Sequence, residues 1–223
     1  LDNQGENDSR DWQATVPNPQ DRRSDYLLAK AVYRLDGQHR FKLSLEHLDR
    51  QVDTNPIHTV VGMPFVNVNV IDARATEDIN RSMIKLDWQF EDLRHPWVQR
   101  FSAWVYGQDS ENHQFGQERY NSPPALWARR TRDTTYGERA LGLGFQGETN
   151  LGSATAQRLL WGADYSSSRI TSLKDGAHYD ASGALITSGP ASASNTLPNQ
   201  SFPDSDYRVL GAFVPDQLTL GAL

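Results

Sequence analysis

From Arg81 to Phe90 the chain alternates, with Ile84, Leu86, Trp88 and Phe90 separated by Lys85, Asp87 and Gln89. A repeat of two puts one set of side chains on each face of a strand, here an apolar, aromatic face and a polar one. After a turn at Glu91–Pro96, a second arm from Trp97 to Tyr106 sets Trp97, Phe101, Ala103 and Val105 against Arg100, Ser102, Trp104 and Tyr106. An arm of about ten residues suits a tilted strand that crosses a bilayer as well as a strand of a soluble sheet.

The rest of the chain repeats this hairpin. Leu27, Ala29, Ala31, Tyr33 and Leu35 line one face of a predicted first strand, Asp25–Leu35, with Tyr26, Lys30 and Arg34 behind them. Asp36-Gly37-Gln38 predicts a tight turn, with Gly37 able to take φ > 0. A second strand over His39–Gln51 sets Phe41, Leu43, Leu45 and His47 against Arg40, Lys42, Ser44 and Glu46. The third hairpin opens near Tyr136, with Leu141, Leu143 and Phe145 opposite Gly142, Gly144, Gln146 and Glu148. It turns over Asn150–Ala154 and returns with Leu159, Trp161, Ala163 and Tyr165 against Arg158, Gly162 and Asp164. A seventh strand follows over Asp206–Leu220. The predicted fold is all-β: an antiparallel meander of about seven strands, each paired with its sequence neighbour.

Connections alternate in length as well. Turns after the odd strands are short, whereas Val52–Asn80, Gln108–Thr135 and Ser167–Pro203 read as polar loops of about 27 to 37 residues, with a short strand expected inside Val60–Val70. Leu1–Ser24 reads as a further loop. Loops of that length are uncommon in compact domains, and all three fall at one end of the strands. Outer-membrane barrels are built this way, with short periplasmic turns and long extracellular loops. Aromatic residues gather near both ends of the strands: Tyr33, Trp88, Phe90 and Trp97 at the short turns, Tyr26, Tyr136 and Tyr165 toward the loops. A soluble antiparallel sandwich would show the same alternation but rarely collects every long loop at one end.

Composition narrows the choice. Mean hydropathy of −0.66 and the lack of a long apolar run exclude a helical membrane span, but not a barrel whose alternate residues alone meet lipid. With 22 basic and 28 acidic residues the chain has a net charge of −6, which argues against a nucleic-acid partner. There are no cysteines, so neither disulfides nor thiolate metal sites arise. The chain starts at Leu1 without an initiator Met or signal peptide and reads as the middle of a longer, mature polypeptide.

Several segments resemble β-barrel hairpins of TonB-dependent outer-membrane receptors, most nearly the haem/haemoglobin branch. They are Asp25-Tyr-Leu-Leu-Ala-Lys-Ala-Val-Tyr-Arg, His39-Arg-Phe-Lys-Leu-Ser-Leu-Glu, Asn80-Arg-Ser-Met-Ile-Lys-Leu-Asp-Trp-Gln-Phe and Arg158-Leu-Leu-Trp-Gly-Ala-Asp-Tyr-Ser. Gly211-Ala-Phe-Val-Pro-Asp-Gln-Leu-Thr-Leu is similar to the family's Phe-Val-Gln-Asp-Glu strand, with Pro215 in place of Gln and Gln217 in place of Glu. The resemblance implies that residues 1–223 are one partial domain of a larger transmembrane barrel of about 22 strands. The plug domain, the TonB-contacting segment and the Phe-Arg-Ala-Pro…Asn-Pro-Asn-Leu region are not in this chain. It further implies a receptor in the outer membrane of a Gram-negative bacterium, with its long loops extracellular. Its function would be iron uptake: import of haem, a haemoprotein's haem or another iron chelate, driven by the TonB complex acting through the plug. The alternatives are a passive porin-like barrel and a soluble β-sheet binding module.

Little other chemistry is legible. Gly142-Leu-Gly-Phe-Gln-Gly147 matches G-x-G-x-x-G, but it alternates as a strand and lacks a βαβ setting. No catalytic motif and no metal-ligand spacing is present, so no enzyme, no resident cofactor and no metal is expected. His39, His47 and His95 read as structural. The candidate ligand-binding residues are His58, His113 and His178 in the long loops, with Arg129, Arg130 and Arg132 able to attract an anion; haem is a candidate transported ligand rather than a bound cofactor. Lys85, Asp87, Arg100 and Arg158 are expected on the lumen face.

Overall fold

The computed structural model describes residues 18–56, 69–121, 127–151, 156–189 and 191–219. Its strands are β1 (Gln20–Arg34), β2 (His39–Thr54), β3 (Asn69–Glu91), β4 (Arg100–Asn121), β5 (Arg129–Leu151), β6 (Ala156–Tyr179), β7 (Ser205–Phe213) and the short β8 (Asp216–Thr219). They form one antiparallel meander in the order β1-β2-β3-β4-β5-β6-β7, open at both edges. The only helical element among the described residues is a single 3₁₀ turn, Ala193–Asn195.

β8 continues β7. Phe213 pairs with Gly162 and Asp216 with Leu159, so the register is the same on both sides of Val214–Pro215. Leu160 donates its N–H to the Pro215 carbonyl at 3.0 Å, but Pro215 has no N–H to return. The break is a missing donor within one seventh strand. It lies on the sheet's outermost strand, where proline is tolerated.

The alternation read from the sequence becomes two faces. Register puts Leu27, Ala29, Ala31 and Tyr33 of β1 beside His47, Leu45, Leu43 and Phe41 of β2, then beside Ser82, Ile84, Leu86 and Trp88 of β3. The same levels continue through Val105 and Ala103, Leu143 and Phe145, Tyr165 and Ala163, and end on Leu210 and Ala212. An apolar belt thus crosses all seven strands on one face. Nothing among the described residues covers it: Leu27 is 64% exposed, Leu141 54% and Leu210 78%. No large side chain is fully buried anywhere in the described sheet. Among the described residues the sheet is a single layer, with no second layer packed on its apolar face.

The polar face is the more sheltered one. Along β5, Leu141, Leu143 and Phe145 are exposed while Gly142 and Gly144 between them are buried. A recess on the polar face is lined both by Arg22 of β1 and by Lys174 of β6, so the sheet curls with this face inward.

Two expectations are corrected, and others lie outside the described residues. Most of the predicted loops are strand: β2 runs to Thr54 and β3 starts at Asn69, β4 reaches Asn121 and β5 starts at Arg129, and β6 extends to Tyr179. Alternation weakens there because polar residues occupy both faces, leaving no periodic signal, although the backbone ladder continues. The Val60–Val70 strand lies mostly outside the described residues, as do most of Leu1–Ser24 and the tip of the third hairpin; Val70 belongs to β3. Gly37 does not adopt positive φ; Asp36 Oδ1 instead accepts the N–H groups of Gln38 (2.8 Å) and His39 (2.7 Å) and closes the turn. Those two bonds hold the Asp36 carboxyl below its ordinary pKa.

Candidate functional site

An aromatic band lies at the short-turn end of the apolar face. His39 stacks on Trp88, Phe41 stacks on Trp88, and Trp88 meets Phe101 edge-on at 5.3 Å. Phe101 then contacts Phe145 and Trp161. Trp88 donates its indole N–H to His39 at 3.2 Å and Trp161 donates to Thr149 at 3.1 Å, so both rings keep a polar edge engaged. The sequence reading caught Trp88 and Phe90 in this band. It missed the role of Phe101, Phe145 and Trp161, which only the register brings together. The expected aromatic cluster at the opposite end does not form. Tyr26 and Tyr136 point to the polar face, whereas Tyr165 lies on the apolar face within the belt.

On the polar face, Lys85 and Lys42 both reach Asp87, at 3.0 and 3.2 Å. Arg158 and Arg100 both reach Glu148, at 2.7 and 3.5 Å. Lys85, Asp87, Arg100 and Arg158 therefore share the face opposite the belt, in two charge-paired groups. Between these groups lie Trp104 and Tyr106. A Cβ built on Gly144 would come within 2.4 Å of the Trp104 ring, and one on Gly142 within 2.3 Å of Tyr106. The two glycines are the floor on which these aromatics lie.

Five of the six candidate ligand residues are on strands rather than loops. His113 sits in β4, where its Nε2 is 2.7 Å from Asp133 Oδ1 and its Nδ1 is 3.9 Å from Asp78. Arg129, Arg130 and Arg132 are in β5, and His178 is in β6. His58 lies outside the described residues. The sequence placed these residues in loops because polar strands carry no alternation, and the tertiary ladder overrides that local silence.

His178, Arg130 and Arg132 share the polar face at the far end of the sheet, and Arg129 stands there on the opposite face. The His178 ring stacks on Trp127 at 4.3 Å and its Nδ1 is 2.8 Å from the Ala191 carbonyl. Arg129 lies over the Tyr179 ring at 3.9 Å. Arg130 donates to Glu118 through Nε at 3.0 Å and also through its terminal nitrogen, and Tyr120 donates to the same carboxylate oxygen. Burial alone would raise the Glu118 carboxyl, but the Tyr120 and Arg130 hydrogen bonds outweigh it and hold the group below its usual value. Burial and the same bond push the Tyr120 phenol up to about 12. Arg130, Arg129 and His178 are thus engaged by an ion pair, a ring and a ring with a carbonyl, while neither Arg129 nor Arg132 makes an ion pair among the described residues. No group of three or more histidine or carboxylate side chains among those residues has a metal-binding arrangement. Compared with protein-family models and with curated proteins, the chain matches none.

Proposed function

We propose that this chain is a section of the wall of a bacterial outer-membrane β-barrel, about 22 strands when complete, and that the barrel imports an iron-bearing ligand, haem or another chelate, under TonB drive. One observation carries the membrane part: a continuous apolar belt across seven strands, exposed on most of them and half-buried on β6, on the face turned away from the curl. In water such a face is a liability; in a bilayer it is the surface that lipid requires, while the paired charges of the other face line the lumen. The aromatic band at the short-turn end suits a headgroup boundary. Strands β3 to β6 continue far past the belt, so the ligand-capturing surface is the polar upper sheet together with its connections. The import reading rests on the resemblance of the hairpins to TonB-dependent receptors, and the energising plug would come from outside this chain.

Two experiments test this. In vesicles with brominated acyl chains, single-tryptophan variants retaining Trp88 or Trp161 should be quenched and one retaining Trp104 should not. Equal quenching of Trp104, or none at Trp88, ends the membrane reading. In cells carrying the full-length protein, haem or ferric-chelate uptake should stop when the proton gradient is collapsed. Uptake that continues unchanged would make the barrel a passive pore.

A further inference from the structure

Beyond the belt, the sheet sorts charge between its faces. At one level on the convex side, Asp21 pairs with Asp53 and Asp133 with Asp175, all in one cross-strand row. On the concave side Arg22 and Lys174 stand at one adjoining level and Arg132 at the other, with Arg50 one concave-face position beyond Val52 on β2. These four cations line a recess of about 750 Å³ that reaches from β1 to β6. Glu77 is the one carboxylate in its lining, and it is already engaged by Asn112 at 2.9 Å, Gln114 at 3.1 Å and Arg50 at 3.8 Å. Glu118, the next carboxylate along this face, is held by Arg130 and Tyr120. Arg22, Arg132 and Lys174 make no ion pair among the described residues. In a chain of net charge −6, the lining of this recess carries four positive charges against one negative.

The position of one of these cations is braced. The backbone of Lys174 exchanges two hydrogen bonds with Asn199, each 2.8 Å, where the segment after the 3₁₀ turn folds back along β6. Thr134, Gln114 and Tyr136 add neutral hydrogen-bonding groups to the same lining. A concave surface of one charge sign concentrates counter-ions, and guanidinium groups match carboxylate and phosphate oxygens in pairs. The volume falls within the range of small-molecule sites.

We infer that this recess binds a polyanionic solute, one carrying several carboxylate or phosphate groups. The inference rests on the curl of the sheet and its charges and stands whether the apolar belt meets lipid or protein. The full chain, purified in detergent micelles, should bind tripolyphosphate and citrate by titration calorimetry, more weakly as salt rises, and should not bind maltotriose. The double variant Arg132→Gln/Lys174→Gln should weaken binding by about tenfold or more, because charge-assisted hydrogen bonds are lost. Arg139→Gln, which removes an exposed convex-face cation, should leave binding unchanged. Circular dichroism must show the native strand signal in each variant; should the double variant unfold, Arg22→Gln takes its place with the same expected direction. Absence of binding to the folded chain, or equal loss from Arg139→Gln, overturns the inference. Neither result bears on the lipid-quenching test, which reads the other face.

Discussion

Single residues decide how closely the strands of this sheet can pack. Gly142 and Gly144 carry the Tyr106 and Trp104 rings, and any Cβ there forces those rings off the sheet. Gly144→Val should therefore destabilise the protein by about 1–3 kcal/mol, with a changed Trp104 fluorescence maximum as the check. The same change at Gly116, where a Cβ meets nothing within 4 Å, should be far milder. At the far end, Glu118 has a depressed folded pKa. Its contribution is complete above the unfolded glutamate pKa and is lost as pH falls through the folded value, so the window lies below the ordinary glutamate range. Glu118→Gln should remove on the order of 2 kcal/mol of local stability and abolish that window, read by amide exchange around 118–120. It should also let Tyr120 titrate nearer a normal phenol, visible in the ultraviolet difference spectrum.

Strands are legible in a sequence when their two faces differ, and here that holds only in the belt. Ile84 to Phe90, Leu141 to Phe145 and Leu159 to Tyr165 announce themselves because one face must be apolar. Above the belt, stretches such as Glu111–Arg119 are polar on both faces, so the alternation that would mark a strand is missing although the ladder is intact. For the same reason the order and register of the strands were accessible from the short turns, whereas the sites were not: His113, His178 and the arginines were placed by composition alone. Gly142 and Gly144 on the polar face of one strand and Trp104 and Tyr106 on the polar face of another were legible separately; only register joins them. At this scale two outcomes are expected. On the proposed membrane reading, Leu86→Arg should cost about 2–4 kcal/mol near the bilayer midplane, measured by reversible unfolding in lipid. Pro215→Gln should restore the donor opposite Leu160 and slow amide exchange at the β7–β8 junction; unchanged exchange there would mean that the break has another cause.

The whole molecule is a curled wall whose apolar belt occupies only the lower part of its longest strands. From Ile84, at the top of the belt on β3, the strand continues to Asn69, a length of about 50 Å at roughly 3.3 Å per residue before any tilt. β4, β5 and β6 accompany it, paired residue by residue apart from a bulge at Ile71 between β3 and β4. Amides of Gln114–Glu118 and Arg129–Asp133 should then exchange about as slowly as those of the belt; rapid exchange there would show that the extension is not a standing sheet. The consequence concerns the entropy of capture. A receptor that gathers its ligand with slack loops must still them on contact and gives up part of its affinity in doing so, whereas a parapet of paired strands has met that cost during folding. Binding to this surface should therefore show a modest loss of entropy and little change in hydrogen-exchange protection, and its affinity should depend on where the fixed groups stand rather than on how the chain rearranges.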